Sequence, residues 1–513
     1  MMRENEVNSL KKLIDYSADL YGEKDFIRFK KDKYQVESRS FLDVKNASEA
    51  FSKMLSMKGI ENVHFAIAGN TSFEWIAAYF GIVNSSNVII PYDKKETPRE
   101  LEKLLEHSDT EGMIFDSTQK KNLAYIREHN KNIKYFISLD AAEDEGDIIS
   151  LKKVFEKYKG GFFKEIDNEK VCTILYTSGT TGERKGVMLT QKSLSRDTMN
   201  FREKAFDDDP CVKLSVLPIH HTFCFSCDVL ASLRFGYTIC ISSSVGSLFA
   251  DCQIYHPTRM SIVPAIIKFI YETIMKKAAE NPNVSVNEIA KSMLGGNIVG
   301  LAGGGAYADP KLLLNMAKIG IPAFVGYGMT ECSTTVSTSS IRHNKIGSVG
   351  RLLNNTEMKV VDNEIVIRSE SLMKGYYKNE KATEEVMKNG WLKTGDYGYI
   401  DEEGYVFITG RKKNLIILSN GENVSPEEVE AKLYEEDIIK EVVVYGKNNK
   451  IYAEIFPNND FMERENIKNV QDEIARAVFR ANQKLPVYKK VESFVIRNIE
   501  FEKTSSNKIK RNI

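Results

Sequence analysis

The chain has 513 residues, 42% hydrophobic and 28% charged, and its 71 Lys and Arg residues balance its 71 Asp and Glu residues. This composition is typical of a globular protein with room for about three domain-sized units, and the zero net charge without a long Lys/Arg block excludes a nucleic-acid platform. The charged N-terminal segment predicts neither a signal peptide nor a transmembrane anchor. The odd number of cysteines, seven, fits reduced thiols and a cytoplasmic location better than a disulfide scaffold.

Strand and helix patterns alternate in the first third of the chain. Thr97 and Glu100 form a capping box with Pro98 in the first turn, which predicts the start of a helix. Apolar runs predict strands at 65–68, 88–90 and 113–115, and helical spacing runs from Trp75 to Val83. This alternation indicates an α/β fold in which helices cover the faces of a parallel or mixed sheet.

A segment rich in glycine and hydroxyl groups follows the apolar run 171–175. Its backbone N–H groups, its hydroxyls and Lys185 suit a polyphosphate. It is not a Walker loop, because Lys185 precedes Gly186 and is not followed by Ser or Thr. Taken by itself, the segment could equally be a flexible surface turn. The residues predicted to bind phosphate are Thr177, Ser178, Gly179, Thr180, Thr181, Gly182 and Lys185.

One C-x-x-C motif, Cys224 and Cys227, lies among apolar residues. No second Cys/His pair at zinc-site spacing follows it, so the pattern favours core packing over a metal or redox site.

The last hundred residues predict a separate small α/β unit. Ser425 and Glu428 form a second capping box, and Pro486 follows a long amphipathic pattern. Strands are predicted at 442–444 and 451–456, and a helix from Ile467 to Val478. Because a glycine and a charge cluster at 410–413 interrupt two apolar runs, we predict a large domain over 1–410 and a small domain over 411–513.

The segment 176–187 resembles the phosphate loop of the adenylate-forming superfamily, which includes acyl-CoA synthetases, the adenylation domains of peptide synthetases and beetle luciferase. Further motifs similar to those of that superfamily follow in the same order, and each one separately would be a weak signal. They are Gly303-Gly304-Gly305-Ala306, Gly326-Tyr327-Gly328-Met329-Thr330-Glu331, 390–396, 410–414 and 504–511. The resemblance implies a large α/β domain of sheets flanked by helices and a small mobile C-terminal α/β domain.

Residue chemistry and the resemblance agree on an adenosine site. Tyr327 can stack on adenine while the thin backbone of Gly304 and Gly305 approaches the other face. Asp396 suits two ribose hydroxyls, and Arg411 offers several donors near the same sugar. The alternative to ribose binding is that Asp396 and Arg411 form a salt bridge at the domain junction. The same motifs add Ala306, Gly328 and Thr330 to the predicted nucleotide site.

The implied reaction is attack of a carboxylate on the α-phosphorus of ATP. Cations must offset the charge that accumulates as two anions meet. Glu331 is the predicted Mg²⁺ ligand, Lys185 is predicted to neutralise pyrophosphate, and the resemblance implies that Lys508 bridges the carboxylate and the α-phosphate. The alternative for Lys508 is a solvated cation in a Lys-rich tail. Asn507 stands where the superfamily has a glycine. Asn adopts left-handed backbone angles more readily than most residues do, so the turn can still form.

In the second half-reaction of similar enzymes, the small domain rotates and the thiol of coenzyme A attacks the acyl adenylate. Its position in the sequence makes Lys413 the predicted hinge residue. Gly421 would let a pantetheine arm pass close to the backbone. An acyl carrier protein presents the same thiol, so it is the alternative acceptor. A non-catalytic nucleotide or acyl binder is a third hypothesis, favoured only by Asn507.

The sequence after Pro218 resembles the P-x-H-H form of fatty acyl-CoA, coumaroyl-CoA and luciferase members, with His221 as the second histidine. No carboxylate stands there to meet an α-ammonium group. The apolar residues that follow predict an acyl tunnel, although core packing explains them equally well. They are Phe223, Phe225, Val229 and Leu230. The segment from Asn420 to Glu428 is most similar to bacterial medium-chain and long-chain fatty acyl-CoA ligases. We therefore expect a medium- or long-chain fatty acid as substrate, with an aryl acid as the alternative.

Overall fold

The computed structural model of the chain describes residues 3–32, 35–177, 184–206, 210–418, 422–447, 450–503 and 509–511. The helices are α1 (Leu10–Tyr21), α2 (Phe41–Met57), α3 (Phe73–Val83), α4 (Pro98–His107), α5 (Lys120–His129), α6 (Leu151–Lys157), α7 (Gln191–Met199), α8 (Thr222–Cys224), α9 (Ala231–Phe235), α10 (Leu248–Tyr255), α11 (Pro264–Glu280), α12 (Val286–Met293), α13 (Pro310–Lys318), α14 (Glu380–Val386), α15 (Pro426–Leu433), α16 (Asn459–Arg464) and α17 (Val470–Gln483). A π-helix over Phe225–Leu230 continues α8 into α9.

The strands, in chain order, are β1 (Asp25–Lys30), β2 (Val36–Ser40), β3 (His64–Ala68), β4 (Val88–Pro91), β5 (Thr110–Phe115), β6 (Tyr135–Ser138), β7 (Ile148–Ser150), β8 (Val171–Thr177), β9 (Lys185–Thr190), β10 (Val212–Ser215), β11 (Thr238–Ile241), β12 (Arg259–Ile262), β13 (Gly300–Gly303), β14 (Ala323–Tyr327), β15 (Ser337–Thr338), β16 (Arg351–Leu352), β17 (Thr356–Val361), β18 (Glu364–Ser369), β19 (Gly375–Tyr376), β20 (Met387–Lys388), β21 (Trp391–Ile400), β22 (Val406–Arg411), β23 (Ile416–Ile417), β24 (Asn423–Val424), β25 (Ile439–Lys447), β26 (Lys450–Pro457) and β27 (Ser493–Ile496).

Two large sheets and a smaller one build the first four-fifths of the chain. One sheet has the strand order β16-β15-β14-β13-β12-β10-β11-β1-β2, and the other has the order β19-β9-β8-β4-β3-β5-β6-β7. Most of their neighbouring strands are parallel, but β9 runs antiparallel to both β8 and β19. The third sheet, which is antiparallel, places β22 beside β21. The predicted α/β class with mixed sheets and flanking helices is therefore confirmed.

The predicted elements of the first third are confirmed, with boundaries that differ by a few residues. The Thr97 hydroxyl accepts a hydrogen bond from the Glu100 N–H, as expected of an N-cap. The second capping box is wrong: the Ser425 hydroxyl instead donates to the Thr409 carbonyl at 3.0 Å and to Glu427 at 2.9 Å. Ser425 thus bonds the start of α15 to β22, a tertiary contact that sequence spacing does not reveal.

The C-terminal residues form their own core. Helices α15 and α17 pack on the sheet β25-β26-β27, with Val429, Val444 and Ala477 among the buried side chains. The long C-terminal helix begins at Val470, later than predicted, and ends before Pro486 as expected. Within the described segments, no helix combines the length and apolarity needed to cross a bilayer. The domain boundary near 410 and the mobility of the small unit stay predictions.

Candidate functional site

Three residues predicted to hold adenosine lie in mutual contact. Tyr327 ends β14, while Asp396 of β21 and Arg411 of β22 are cross-strand neighbours. The Tyr327 hydroxyl donates to Asp396 Oδ2 at 2.7 Å, and Arg411 Nε lies 2.9 Å from Asp396 Oδ1. The salt bridge considered as an alternative for Asp396 and Arg411 is therefore present. Their contact with a ribose stays a prediction.

Burial governs the electrostatics of this cluster. Asp396 is only 1% exposed, and this burial raises the pKa of its carboxyl, an effect that Arg411 and the Tyr327 hydroxyl oppose. Burial and the nearby Asp396 carboxylate raise the pKa of Tyr327 well above its usual value. The Tyr327 phenol is therefore neutral and available as a fixed hydrogen-bond donor.

The predicted glycine turn lies at the end of β13 and is shaped by a neighbouring aromatic ring. A Cβ added at Gly304 would lie 2.8 Å from the ring of Phe223, which is closer than side chains approach. Gly305 has φ +79°, in the left-handed region that favours glycine. Gly304 is buried, whereas Gly305 and Ala306 are exposed. The exposed backbone of the turn is therefore free to approach a flat ligand.

Glu331 and Lys185 meet at a tyrosine that sequence analysis did not single out. The Tyr376 hydroxyl donates to Glu331 Oε1 at 2.9 Å, and Lys185 Nζ lies 4.9 Å from the Tyr376 ring centre. Lys185 also pairs with Thr177 across β8 and β9. Burial and Glu331 raise the pKa of Tyr376, which keeps its hydroxyl protonated. A cation, an acceptor carboxylate and the end of a strand thus lie close together. This combination suits a polyphosphate that carries a metal ion.

Tyr376 carries no local signal of this role. It reaches Glu331 because the short strand β19 pairs with β9, where Tyr376 stands opposite Val187. This pairing joins segments almost two hundred residues apart, and nothing in the spacing near Tyr376 indicates it. Thr330, in the same 3₁₀ turn as Glu331, is half-buried.

The two histidines before α8 differ in their surroundings. Their ring centres are 4.2 Å apart, and burial together with His221 lowers the pKa of His220 to about 3. His220 is therefore neutral at physiological pH. His221, the predicted catalytic residue, is half-buried two residues before Phe223, which places it near the glycine turn.

The predicted acyl tunnel is wrong for three of its four residues. Phe225, Val229 and Leu230 belong to the main hydrophobic core, and the Phe225 ring centre is 4.2 Å from that of Tyr79. The cavity beside Phe225 has a volume of ≈ 10 Å³, about enough for one water molecule. These residues pack the core, the alternative that the sequence left open. Phe223 differs, because it lies against Gly304.

All seven cysteines are free thiols. Cys224 is buried, and its Sγ donates to the Leu217 carbonyl at 3.2 Å, so core packing is confirmed for this member of the C-x-x-C motif. No group of three or more His, Cys, Asp or Glu side chains suited to a metal occurs in the described parts of the chain. Glu331 is thus a carboxylate that would need phosphate oxygens and water to complete a magnesium shell.

Several predicted residues lie outside the described part of the chain. They are Ser178, Gly179, Thr180, Thr181, Gly182, Gly421 and Lys508. The residues that flank the last of these are described: Lys503 and Ile509 form an antiparallel bridge, and Arg511 donates to Glu430 of α15 at 2.5 Å. Lys413, the predicted hinge, lies in an exposed 3₁₀ turn over Lys412–Asn414.

Comparison with known proteins adds independent findings. A family model described as "AMP-binding enzyme" matches residues 14–377, and one described as "AMP-binding enzyme C-terminal domain" matches residues 413–513. The 2-succinylbenzoate–CoA ligase of Oceanobacillus iheyensis is 29% identical over 84% of this chain and 85% of its own. The long-chain-fatty-acid–CoA ligase FadD15 of Mycobacterium bovis is 30% identical over 54% of this chain, and that match spans about half of the relative, 52%.

Two of the solved structures of similar fold are named as a CoA ligase and a CoA synthetase. The anthranilate CoA ligase AuaEII, in complex with anthranoyl-AMP, has a TM-score of 0.84 at 18% identity and covers 99% of this chain and 97% of its own. The o-succinylbenzoate CoA synthetase of Bacillus subtilis has a TM-score of 0.76 at 22% identity, covering 98% and 97%. Identities this low establish a shared fold and nothing finer.

Proposed function

This chain belongs to the AMP-binding enzyme family, and from this premise we propose that it is an AMP-forming acid–thiol ligase that uses ATP, Mg²⁺ and coenzyme A. The observation that carries the proposal is the arrangement along one stretch of chain, 327–331. At one end, Asp396 contacts both Tyr327 and Arg411; at the other, Tyr376 contacts both Glu331 and Lys185. This arrangement supports an adenosine site and a polyphosphate site four residues apart.

In the proposed first step, a carboxylate oxygen of the acid forms a bond to the α-phosphorus of ATP while the bond to the bridging oxygen of pyrophosphate breaks. Tyr327 and Asp396 hold the nucleoside. Lys185 offsets the charge of the departing pyrophosphate, and Glu331 would hold a magnesium ion, which would supply further positive charge there. In the second step a thiol attacks the acyl carbon, loses its proton, and releases AMP.

For the acid, we propose a compact carboxylic acid, such as an aryl acid, over the fatty acid expected from the sequence. The change follows from Phe225, Val229 and Leu230, which pack in the main hydrophobic core, and from the small volume, ≈ 10 Å³, of the cavity that Phe225 lines. Relatives named for both classes support keeping a fatty acid as the alternative. The acceptor is coenzyme A in this proposal, with an acyl carrier protein as the second candidate. A cytoplasmic location also stays a prediction, to which the free thiols add support.

The test is ATP–pyrophosphate exchange over a panel of straight-chain fatty acids, benzoic and cinnamic acids and amino acids, with magnesium present. We expect exchange with one or more compact acids, and no exchange with amino acids, because their ammonium group would be desolvated without a partner. For a fatty acid, burial of about 0.8 kcal/mol per methylene would lower the Michaelis constant stepwise with length. That stepwise response would overturn the compact acid while leaving the ligase standing. Exchange with none of these acids would contradict the ligase.

Tyr376→Phe tests the phosphate end of the site. Loss of one hydrogen bond to Glu331, worth about 1 kcal/mol, should raise the Mg²⁺ concentration for half-maximal activity by about fivefold, because the carboxylate is no longer held in place. Tyr377→Phe is the matched control, since the Tyr377 hydroxyl donates to Asp109 on the other side of the strand. An equal magnesium requirement in wild type and Tyr376→Phe would contradict the role of Glu331.

A further inference from the structure

The segment Ser333–Thr335 forms a wall directly behind the adenosine strand. A Cβ added at Gly328 would collide with the Thr334 carbonyl oxygen, and the Val336 N–H donates to the Tyr327 carbonyl at 2.8 Å. The segment therefore lies one residue layer from the nucleotide site. In the proposed reaction the carboxylate meets the α-phosphate beside that site, so this wall is a candidate to contact the rest of the acid.

The backbone of this wall is strained. Ser333 has φ +60° and Thr334 has φ +153°, values that a β-branched residue such as threonine rarely adopts. Hydrogen bonds hold both residues: the Ser333 hydroxyl donates to the Ser371 carbonyl, and the Thr334 hydroxyl donates to Ser226, each at 2.8 Å. Strain that the surroundings enforce in this way is characteristic of ligand sites.

The π-helix Phe225–Leu230 forms the facing wall, and helices of this type are frequent at functional sites. Its Ser226 hydroxyl also donates to the Ser333 carbonyl at 3.2 Å. Cys227, the next residue, is the only partly exposed thiol of the seven. Its side chain adjoins Thr335 and Asp197. Cys227 and Thr335 therefore meet where the π-helix packs against the segment Ser333–Thr335.

Asp197 lies behind these two side chains and is incompletely satisfied. It is fully buried on α7, and its Oδ1 accepts one hydrogen bond, from the Thr335 N–H at 2.9 Å. Oδ2 has no hydrogen-bond partner in the described part of the chain, and the buried Thr335 hydroxyl has none either. Burial raises the pKa of the Asp197 carboxyl well above its usual value.

A second buried carboxylate nearby, Asp228, also has one oxygen without a hydrogen bond, Oδ1, but it differs from Asp197 in having a cation beside it. Asp228 is also fully buried, but Lys213 Nζ lies 3.2 Å from its Oδ1 and the Ser215 hydroxyl donates to its Oδ2 at 2.7 Å. Among the described residues, no cation offsets the charge of Asp197 in this way. A buried polar atom without a partner costs stability, so the unsatisfied side of Asp197 calls for a ligand group.

We propose that Asp197 determines substrate specificity: its Oδ2 hydrogen-bonds a neutral hydroxyl or aromatic amino substituent of the acid, at the end of the site lined by Cys227 and Thr335. The inference rests on the proposed ligase function and deepens it. Because Oδ2 is buried, the substituent in this proposal displaces the side chain of Cys227, which lies beside Asp197. A neutral partner matches a carboxyl that burial keeps protonated, and a hydroxyl both accepts from and donates to such a group.

The test compares matched acids by ATP–pyrophosphate exchange. Each hydroxy- or amino-substituted benzoic acid is paired with the methyl-substituted acid of the same ring position, and ω-hydroxy fatty acids are paired with plain ones. An aminomethyl benzoic acid supplies a cationic amine. We expect one hydroxy-substituted or amino-substituted acid of the panel to exceed its unsubstituted or methyl-substituted partner in kcat/KM by about 5-fold to 100-fold. A cationic acid as the best substrate, or ratios near one throughout, would overturn the proposal.

Variants separate recognition from folding. Asp197→Leu should lower the ratio of kcat/KM between the substituted acid and its partner to one or below. Asp197→Asn, which keeps the shape and the hydrogen-bonding capacity of the side chain, should retain most of that ratio. Asp228→Asn, the matched buried control, should leave the ratio unchanged even if it lowers stability. If Asp197→Leu does not fold, the ratio of kcat/KM between the paired acids is compared in wild type and Asp197→Asn alone. The same ratio in both proteins supports the proposal only when the wild-type ratio exceeds fivefold. A smaller wild-type ratio contradicts it. Exchange with no acid at all would contradict the ligase function instead.

Discussion

Lys508→Ala should lower the rate of acyl-adenylate formation by about 10²–10³, the usual cost of removing one group that stabilises developing charge. The lysine is expected to bridge the incoming carboxylate and the α-phosphate, where two anions meet. It has no such task when a thiol attacks a preformed adenylate. Thioester formation from a supplied acyl adenylate should therefore continue at nearly the wild-type rate. The two half-reactions are measured separately, by pyrophosphate release and by thioester formation.

Lys510→Ala is the matched control for this variant. Lys510 belongs to the same cationic tail, is exposed, and lies 3.7 Å from Glu502. Its removal should change neither half-reaction appreciably, because screened surface pairs contribute little. Equal small effects of both substitutions would mean that Lys508 is a solvated cation, and the assignment of the C-terminal motif would then be wrong.

Lys413→Pro should have the opposite signature, with adenylate formation preserved and thioester formation lowered at least tenfold. Proline fixes φ near −65°, a value compatible with the 3₁₀ turn over Lys412–Asn414 but not with the backbone rotation that would carry the small domain to its second position. The measurement is the same pair of half-reactions.

Lys413→Ala separates the backbone from the side chain. Alanine leaves the rotation free, so both half-reactions should stay close to wild type if only the torsion matters. A comparable loss of thioester formation in Lys413→Ala would assign the effect to the lysine charge beside Arg411 and Asp396. Loss of both half-reactions in Lys413→Pro would show that the hinge prediction is wrong.

The fold was predictable where local patterns suffice. The alternation of strands and helices between 65 and 115 appears in the structure as β3, α3, β4, α4 and β5, because burial on one face of a helix or in a sheet imposes its period on the sequence. The Ser425 capping box failed because its hydroxyl has a competing partner, the Thr409 carbonyl. Spacing along a chain cannot register a partner that only the folded state supplies.

The sequence by itself determined the α/β class and the family resemblance, because both depend on patterns that neighbouring residues form. Only the tertiary structure decided that Tyr376 joins Glu331 to Lys185 and that Phe225 packs the core. It alone also placed Asp197 and Thr335 together, 138 residues apart. Such contacts arise from strand pairing and helix packing over long sequence separations. The periodicity of a segment records which of its faces is buried, but not which distant side chain lies against that face.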